Sequence, residues 1–326
     1  MEEGRKNVLL KVKDLVVEYT QENKIVKAVN GISFEVANQE TIGLIGETGA
    51  GKTTVAKSIL RILPVPQAKI VSGSIEFEGK NLVDMTEDEV RQYRGDQISM
   101  IFQDPMTALN PTMQIGKQIA EGIVVNKGVT KKEANEQAME MLEMVGIPRS
   151  RFKEYPHQFS GGMKQRVVIA LALACNPKLL IADEPTTALD VTIQAQVLDL
   201  IKELQRKRHT AMIMITHDFG IVAETCDKVA VVYAGEIIEM GTKRQIFTAP
   251  THPYTKGLFN AIPSMVKEDR LTPIKGNPVD PTNLPEGCSF SPRCPYATEE
   301  CFKKGASVHD IGDGHLVMCH LAKPEQ

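Results

Sequence analysis

Two segments of the sequence carry residue types that suit the chemistry of nucleotide phosphates. The first, GETGAGKT at residues 46 to 53, has three glycines that let the backbone turn tightly and aim N–H groups at phosphate oxygens. Lys52 adds a positive charge, and Thr53 offers a hydroxyl to Mg²⁺. A strand-like run precedes the segment and a helical run follows it, as a phosphate-binding loop requires. The predicted nucleotide-binding residues are Gly46, Glu47, Thr48, Gly49, Ala50, Gly51, Lys52, Thr53 and Thr54.

The second segment, LLIADEPTTALD at residues 179 to 190, delivers two adjacent carboxylates. Four apolar residues lead into Asp183 and Glu184, at the strand end where parallel sheets place their ligands. We expect Asp183 to hold Mg²⁺ or its water, and Glu184 to orient and deprotonate the attacking water. Neighbouring strand residues point to opposite faces, so the chain must leave strand geometry at Glu184, and Pro185 is consistent with that. The Asn-Lys pairs at 23 and 126 lack the aspartate of a GTPase motif, so ATP is the expected nucleotide.

The elements that must position these residues follow an α/β pattern. Continuous apolar segments predict buried strands, and helical patterns lie between them. After about residue 245 the composition changes, because ten of the eighteen prolines lie between Pro250 and Pro324. We expect this tail to be loop-rich rather than an extension of the sheet. The predicted strands are 41–45, 98–102, 179–182, 211–215 and 229–233, and the predicted helices include 131–145 and 192–207.

Bulk properties exclude some classes of function. The 326 residues carry a net charge of -3 with neither sign dominant, so a nucleic-acid partner is not indicated. The first residues lack the apolar run of a signal peptide, so we expect the chain to stay in the cytoplasm. The longest apolar run, 167–175, is about half of the ~20 residues that cross a bilayer. Membrane association would then be peripheral, through a membrane-embedded partner.

A third motif, FSGGMKQR at residues 159 to 166, lies between the other two. Ser160, Gly161 and Gly162 precede the apolar-periodic run 163–174, so they predict a capped helix start with backbone N–H groups that can bind phosphate. Together the three motifs resemble the nucleotide-binding subunit of an ABC (ATP-binding cassette) transporter over about residues 8 to 245. Phe159 stands where that family more often has leucine.

The resemblance implies a P-loop NTPase fold of the ABC nucleotide-binding type, at residues 1–245, with a helical signature subdomain at about 104–175. It also implies a head-to-tail pair of ATPase subunits in which each signature segment contacts the ATP of the other subunit. The residues expected at that partner's ATP are Ser160, Gly161, Gly162, Gln165 and Asp190. In the same family Tyr19 would stack on adenine, His217 would contact the γ-phosphate, and Gln103 would sense Mg²⁺ and the attacking water.

The tail at 246–326 resembles the C-terminal extension of ATPase subunits from oligopeptide and dipeptide importers, through THPYTKGLFNAIP at 251–263 and the cysteine-containing segment after it. This implies an ATPase that powers peptide uptake through two membrane-embedded permease subunits, with a second ATPase subunit and an extracytoplasmic solute-binding protein. Alternatives are an importer ATPase for nickel or another small solute, and a soluble ABC ATPase outside transport. The expected position is the cytoplasmic face of the cell membrane.

Four cysteines of the tail, Cys288, Cys294, Cys301 and Cys319, have five, six and seventeen residues between them. A cytoplasmic protein keeps thiols reduced, which disfavours a disulfide framework. The gaps match neither the usual zinc spacings nor the common ferredoxin patterns. In dipeptide-type subunits four such cysteines are associated with a [4Fe-4S] cluster, so the resemblance implies that cofactor, with Zn²⁺ or unmetallated thiols as alternatives. Cys175 and Cys226 are interpreted as buried apolar thiols.

Overall fold

The computed structural model of the protein describes residues 7–22, 24–186, 190–261 and 273–322. Its strands are β1 (Val8–Gln21), β2 (Lys24–Ala37), β3 (Thr41–Ile45), β4 (Ala68–Phe77), β5 (Lys80–Asn81), β6 (Ile98–Ile101), β7 (Leu179–Asp183), β8 (Ala211–Ile215), β9 (Lys228–Tyr233), β10 (Glu236–Thr242), β11 (Val308–Asp310) and β12 (Leu316–Met318). Its helices are α1 (Lys52–Ile59), α2 (Glu87–Arg91), α3 (Pro105–Ala108), α4 (Ile115–Lys127), α5 (Lys131–Met144), α6 (Gly161–Leu173), α7 (Val191–Arg208), α8 (Phe219–Thr225), α9 (Lys243–Thr248), α10 (Pro253–Asn260) and α11 (Glu299–Lys303).

The chain divides into two compact units. The first unit comprises residues 1–9, 36–41 and 84–215. Within it β6, β7 and β8 form parallel pairs, with Ile98 opposite Leu179 and Leu179 opposite Ala211. Every residue of β7 and β8 is buried, which explains their continuous apolar sequences, because a parallel strand covered on both faces shows no alternation.

Capping residues in the sequence mark several helix ends in the first unit. Thr86 and Glu89 form a reciprocal capping box at the start of α2, and Thr130 and Glu133 form another at the start of α5. Gly128 ends α4 in the left-handed conformation, at φ 64°. The Thr130 cap marks the start of α5, whose bounds Lys131–Met144 are close to the predicted 131–145.

The second unit comprises residues 10–35, 42–83 and 216–326. Here β3 and β9 are parallel, and β9–β10, β10–β12 and β12–β11 are antiparallel. The prediction that the tail does not extend the sheet was therefore wrong, because β12 pairs with β10. Its strands are only three residues long, too short for an alternating pattern. These short strands are stabilised by a small hydrophobic cluster, in which Val317 is fully buried with Cys319 and Ala322.

An antiparallel sheet in the order β2-β1-β4-β5 completes the strands. Leu10 lies opposite Phe77 and both are fully buried, so one face of the β1–β4 pair is apolar. The motifs of the sequence did not predict this sheet. Within the residues described, no helix has both the length and the apolar character needed to cross a membrane.

Candidate functional site

The phosphate-binding loop connects β3 to α1 in the second unit. Its three glycines have positive φ values of 152° at Gly46, 84° at Gly49 and 100° at Gly51. A Cβ atom at Gly46 would lie 2.1 Å from the carbonyl oxygen of Val232, and one at Gly51 would lie 2.3 Å from that of Ala28. Two of the glycines are therefore required by close backbone approach, and all three by conformation.

Lys52, the first residue of α1, organises the loop from within. Its Nζ donates hydrogen bonds to the carbonyl oxygens of Gly46, at 2.8 Å, and Glu47, at 2.9 Å. The Lys52 side chain is buried, so its positive charge lies inside the loop. Near the start of the same helix, the hydroxyls of Tyr19 and Thr54 lie 3.4 Å apart, which places half-buried Tyr19 beside the loop.

Glu47 of the loop has partners in the tail that the sequence did not indicate. The guanidinium of Arg293 donates to its carboxylate at 2.7 and 3.0 Å, and its backbone N–H donates to the hydroxyl of Tyr254 at 3.0 Å. The residues are separated by 246 and 207 positions in the chain. No local sequence signal marks such a contact, although Tyr254 lies in the segment that carries the importer resemblance.

The acidic strand lies in the first unit, and its geometry changes at Glu184. Strand β7 ends at Asp183, whose side chain is 2% exposed. Glu184 follows with φ 47°, in the left-handed region, and its N–H donates to the carbonyl of Ile215 at 2.8 Å. The prediction that the chain leaves strand geometry at Glu184 is confirmed. On a regular strand the carboxylates of Asp183 and Glu184 would face opposite sides of the sheet. The change in backbone conformation at Glu184 alters that direction.

Gln103 lies next to this carboxylate. Its Nε2 donates a hydrogen bond of 3.0 Å to Oε2 of Glu184, across 81 positions of sequence. Gln103 follows β6 on an exposed loop, and Glu184 follows the neighbouring strand β7, so the parallel pairing brings the two ends together. The structure thus joins two residues that the sequence had selected separately.

His217 belongs to a turn after β8. It is exposed, and both residues beside it are held in place: the N–H of Asp218 donates to the hydroxyl of Thr216 at 3.1 Å, and the Asp218 carboxylate caps α8. The backbone at His217 is therefore fixed, while its imidazole ring reaches the surface.

The third motif forms the start of α6, as predicted. Ser160 is the N-cap, and its hydroxyl accepts a hydrogen bond of 3.4 Å from the N–H of Met163. Gly161 faces open space, whereas a Cβ atom at Gly162 would lie 2.6 Å from Ile193 Cγ2 on α7. One glycine thus leaves room at the helix start, and the other permits close packing of α6 against α7.

Gln165 and Asp190 have intrachain roles that the sequence did not anticipate. Gln165 is 2% exposed, and its amide donates to the carbonyl of Pro185, directly after Glu184. This buried placement argues against the predicted contact of Gln165 with a partner's nucleotide. The hydrogen bond to Pro185 links α6 to the acidic turn, the segment at Glu184 and Pro185 that follows β7. Asp190 is exposed and caps α7, accepting from the N–H of Ile193 at 3.0 Å.

Comparison with known proteins decides the family. The family model described as ABC transporter matches residues 29–187, and that described as Oligopeptide/dipeptide transporter, C-terminal region, matches residues 238–301. The oligopeptide transport ATP-binding protein OppD of Bacillus subtilis is 49% identical over 321 residues, which cover 97% of this chain and 90% of that protein. The chain belongs to the oligopeptide/dipeptide family of ABC transporter ATP-binding subunits. The dipeptide transport ATP-binding protein DppD of the same organism is also 49% identical, over 96% of this chain and 94% of that protein.

Solved structures agree with this ABC assignment. A dimeric post-hydrolysis structure of the ATP-binding cassette MJ0796, bound to ADP and Pi, is 25% identical, with a TM-score of 0.65 over 72% of this chain and 99% of that one. The CbiO1 protein of Clostridium perfringens, part of the ABC transporter complex CbiONQ, is 30% identical, with a TM-score of 0.63 over 74% and 92%. The predicted P-loop NTPase fold of the ABC type is confirmed, and this ABC subunit is an ATPase.

The residue types predicted around Mg²⁺ suit that ion. Thr53, Asp183 and Gln103 carry hydroxyl, carboxylate and amide oxygens, which are the hard ligands that Mg²⁺ prefers. Thr53 belongs to the second unit of this ABC subunit, and Asp183 and Gln103 belong to the first.

The four cysteines of the tail are free thiols, buried at Cys301 and Cys319 and half-buried at Cys288 and Cys294. Burial raises the pKa of Cys288 to about 11, and a hydrogen bond from the N–H of Phe290 opposes that rise. Burial also raises the pKa of Cys294, against an N–H bond from Tyr296. Within the described residues, no group of three or more His, Cys, Asp or Glu is arranged to hold a metal ion.

Three of these sulfurs share one type of contact, in which each accepts the N–H of the residue two positions on. Phe290 donates to Cys288, Tyr296 to Cys294 and Leu321 to Cys319, the last at 3.4 Å. The hydroxyl of Thr298 lies 3.4 Å from the sulfur of Cys301. By contrast, Cys175 and Cys226 are buried apolar thiols, as predicted, and burial raises the pKa of Cys226 to about 12.

Proposed function

We propose that this ABC ATPase powers the uptake of di- and oligopeptides through two separate membrane-embedded permease subunits. The observation that carries the proposal is the similarity along almost the whole chain to proteins named for oligopeptide and dipeptide transport. The match of residues 238–301 to the C-terminal region of that transporter family adds a feature beyond the general cassette.

The proposed assembly follows from this assignment. A second ATPase subunit, a copy or a paralogue, pairs head to tail with this chain at the cytoplasmic face of the membrane, and an extracytoplasmic solute-binding protein supplies the cargo. Residues 1–245 form the nucleotide-binding domain, with the helical signature subdomain at about 104–175. Residues 246–326 form the importer-type extension.

The proposed ATP chemistry uses the residues placed above. Lys52 binds the phosphates together with the loop N–H groups, and Tyr19 stacks on adenine. Thr53, Asp183 and Gln103 hold the Mg²⁺ of the nucleotide, which neutralises phosphate charge. Glu184 is the general base for the attacking water, and His217 contacts the γ-phosphate. The 3.0 Å hydrogen bond from Gln103 to Glu184 supports these roles, because it fixes one oxygen of the carboxylate.

The start of α6 serves the partner's nucleotide in this proposal. Ser160, Gly161 and Gly162 offer a capped helix start with open space at Gly161, which suits a phosphate that approaches from outside the chain. Asp190, exposed at the start of α7, contributes to the same surface. Gln165 is left out of this set because it is buried within its own chain.

We further propose that Cys288, Cys294, Cys301 and Cys319 hold a [4Fe-4S] cluster, as in a dipeptide-type subunit. Four cysteine thiolates are the usual ligand set of such a cluster, and all four lie in the extension. A cluster spreads its four sulfur ligands over four iron atoms. The N–H bonds to Cys288, Cys294 and Cys319 suit thiolates in such a site.

Uptake by the assembled transporter tests the cargo. The chain would be co-expressed with its permease subunits and partner ATPase, reconstituted in vesicles, and assayed with a labelled dipeptide, a labelled tetrapeptide and ⁶³Ni²⁺. ATP-dependent accumulation of a peptide is the expected result. Accumulation of nickel alone, or an ATPase that never assembles with membrane subunits, would overturn the peptide assignment.

Metal analysis tests the cluster separately. Protein purified without oxygen should be brown and contain iron and acid-labile sulfide, and Cys301→Ser should lose both. Cys226→Ser is the matched control, because Cys226 is a buried thiol outside the four-cysteine group. Zinc without iron in the wild-type protein would contradict the proposal.

A further inference from the structure

One residue of the phosphate loop is held by the C-terminal extension. The guanidinium of Arg293 binds the Glu47 carboxylate through two parallel hydrogen bonds, from Nη1 to Oε2 at 2.7 Å and from Nη2 to Oε1 at 3.0 Å. Such bidentate pairs fix orientation as well as distance. The hydroxyl of Tyr254 accepts the Glu47 backbone N–H at 3.0 Å. The extension therefore holds both the side chain and the backbone of Glu47.

These contacts continue to the phosphate-binding lysine. The carbonyl oxygen of Glu47 accepts a hydrogen bond of 2.9 Å from Nζ of Lys52, which also binds the carbonyl of Gly46. Glu47 thus lies between Arg293 and Lys52. A change in the position of Glu47 would move a carbonyl to which the lysine is bonded.

Arg293 is itself fixed in place. Its side chain is 4% exposed and lies over the rings of Tyr233, at 5.7 Å, and Phe290, at 5.9 Å. Its Nε donates to the carbonyl of Lys275 at 3.2 Å. It ends the 3-10 turn Ser291–Arg293, so the backbone also holds it in place. Loss of the carboxylate partner would leave this little-exposed charge uncompensated.

The charge of Glu47 gives this contact a role in nucleotide binding. A carboxylate in a loop that binds a polyanion would repel the phosphates, and the repulsion is strong where water is partly excluded. Arg293 balances that charge before the nucleotide arrives.

We propose that Arg293 is a positioning residue of the ATP site, which neutralises and orients Glu47 of the phosphate loop, and that Tyr254 fixes the same residue through its backbone. The extension is therefore a working part of the ATPase. This inference depends on the ATPase activity and not on the identity of the cargo.

The steady-state kinetics of the assembled transporter test the inference. Arg293→Ala should raise the KM for ATP by about tenfold or more, with a smaller change in kcat, because an unbalanced carboxylate repels the substrate. Added salt should reduce the defect. Lys303→Ala is the matched control: it removes one positive charge from the same extension, at an exposed pair with Glu299, and should leave KM unchanged.

The double variant Glu47→Gln/Arg293→Ala distinguishes charge from general damage. It should recover most of the affinity for ATP, because the repelling charge is gone. If Arg293→Ala does not fold, Arg293→Lys keeps the charge, loses the bidentate contact and should give an intermediate KM. A KM for Arg293→Ala equal to that of Lys303→Ala, or a double variant no better than Arg293→Ala, would overturn the inference.

Discussion

Glu184 is held in a conformation that a glutamate adopts only under constraint. Its φ of 47° lies in the left-handed region, which costs a non-glycine residue about 1–3 kcal/mol. The hydrogen bond from its N–H to Ile215 and the bond from Gln103 to its carboxylate offset that cost. Backbone strain is thus retained at the residue proposed to activate water, and it turns the carboxylate away from the direction that strand geometry would impose.

Gly46 provides a prediction at the residue scale. Gly46→Ala would place a Cβ atom 2.1 Å from the carbonyl oxygen of Val232, at a φ that favours glycine. We expect a loss of about 3 kcal/mol or more in unfolding free energy, or loss of ATP binding if the loop shifts instead. Denaturant unfolding and nucleotide titration measure the two outcomes.

Gly49→Ala is the matched control in the same loop. Its φ is also positive, but a Cβ atom there meets nothing within 4 Å. It should cost only about 1–2 kcal/mol, from the backbone conformation alone. Equal losses for the two variants would show that the contact with Val232 is not what requires glycine.

At the scale of the helix, the N-cap of α6 provides a prediction. Ser160→Ala removes the N-cap and should cost about 1 kcal/mol of unfolding free energy. If the same hydroxyl serves a partner's phosphate, ATPase turnover of the assembled protein should fall at least ~10-fold.

Thr130→Ala is the control for the capping effect, because Thr130 caps α5 outside the three ATP motifs. It should cost a similar ~1 kcal/mol and leave turnover unchanged. Turnover that falls equally in both variants would mean that Ser160 acts through stability alone.

Helix α10 of the extension provides a pH prediction. Its N-cap is His252, 1% exposed, whose Nδ1 accepts the N–H of Tyr254 at 3.1 Å. Burial lowers the pKa of His252 to about 3, and Lys256 adds to the effect. The unfolded chain takes up this proton near pH 6.5, so it binds more protons than the folded chain between pH 6.5 and about 3. Stability must therefore fall as the pH falls through that window.

His252→Asn keeps a capping side chain and removes the titration. Between pH 7 and pH 5 the wild-type protein should lose roughly 2 kcal/mol more unfolding free energy than the variant. Identical losses in the two proteins would show that His252 is protonated in the fold.

At the scale of the whole molecule, the extension is integrated with the second unit. Strand β12 adds to the sheet through β10, and Tyr254 and Arg293 bind the phosphate loop. Proline-rich loops thus carry contacts that a compositional boundary near residue 245 does not show. Removing the tail would expose the edge of β10 and leave Glu47 without its counter-charge.

The parts of this arrangement that the sequence predicted share one property: they depend on local patterns. The bounds of β3 and β8 follow from continuous apolar runs, the start of α6 follows from Ser160 and its glycines, and the break at Glu184 follows from strand alternation. The Arg293 contact was missed because it joins residues 246 positions apart. Strands β11 and β12 were missed because three residues show no periodicity.

ATP turnover by the Glu184→Gln variant tests most directly whether this chain hydrolyses ATP through the acidic turn. The variant keeps the size and hydrogen-bonding capacity of the side chain but cannot accept the proton of the attacking water. In the assembled protein it should bind ATP as the wild type does and lose turnover by at least ~100-fold. Glu203→Gln, at an exposed pair on α7, is the control and should be fully active. Wild-type turnover in Glu184→Gln would contradict the account.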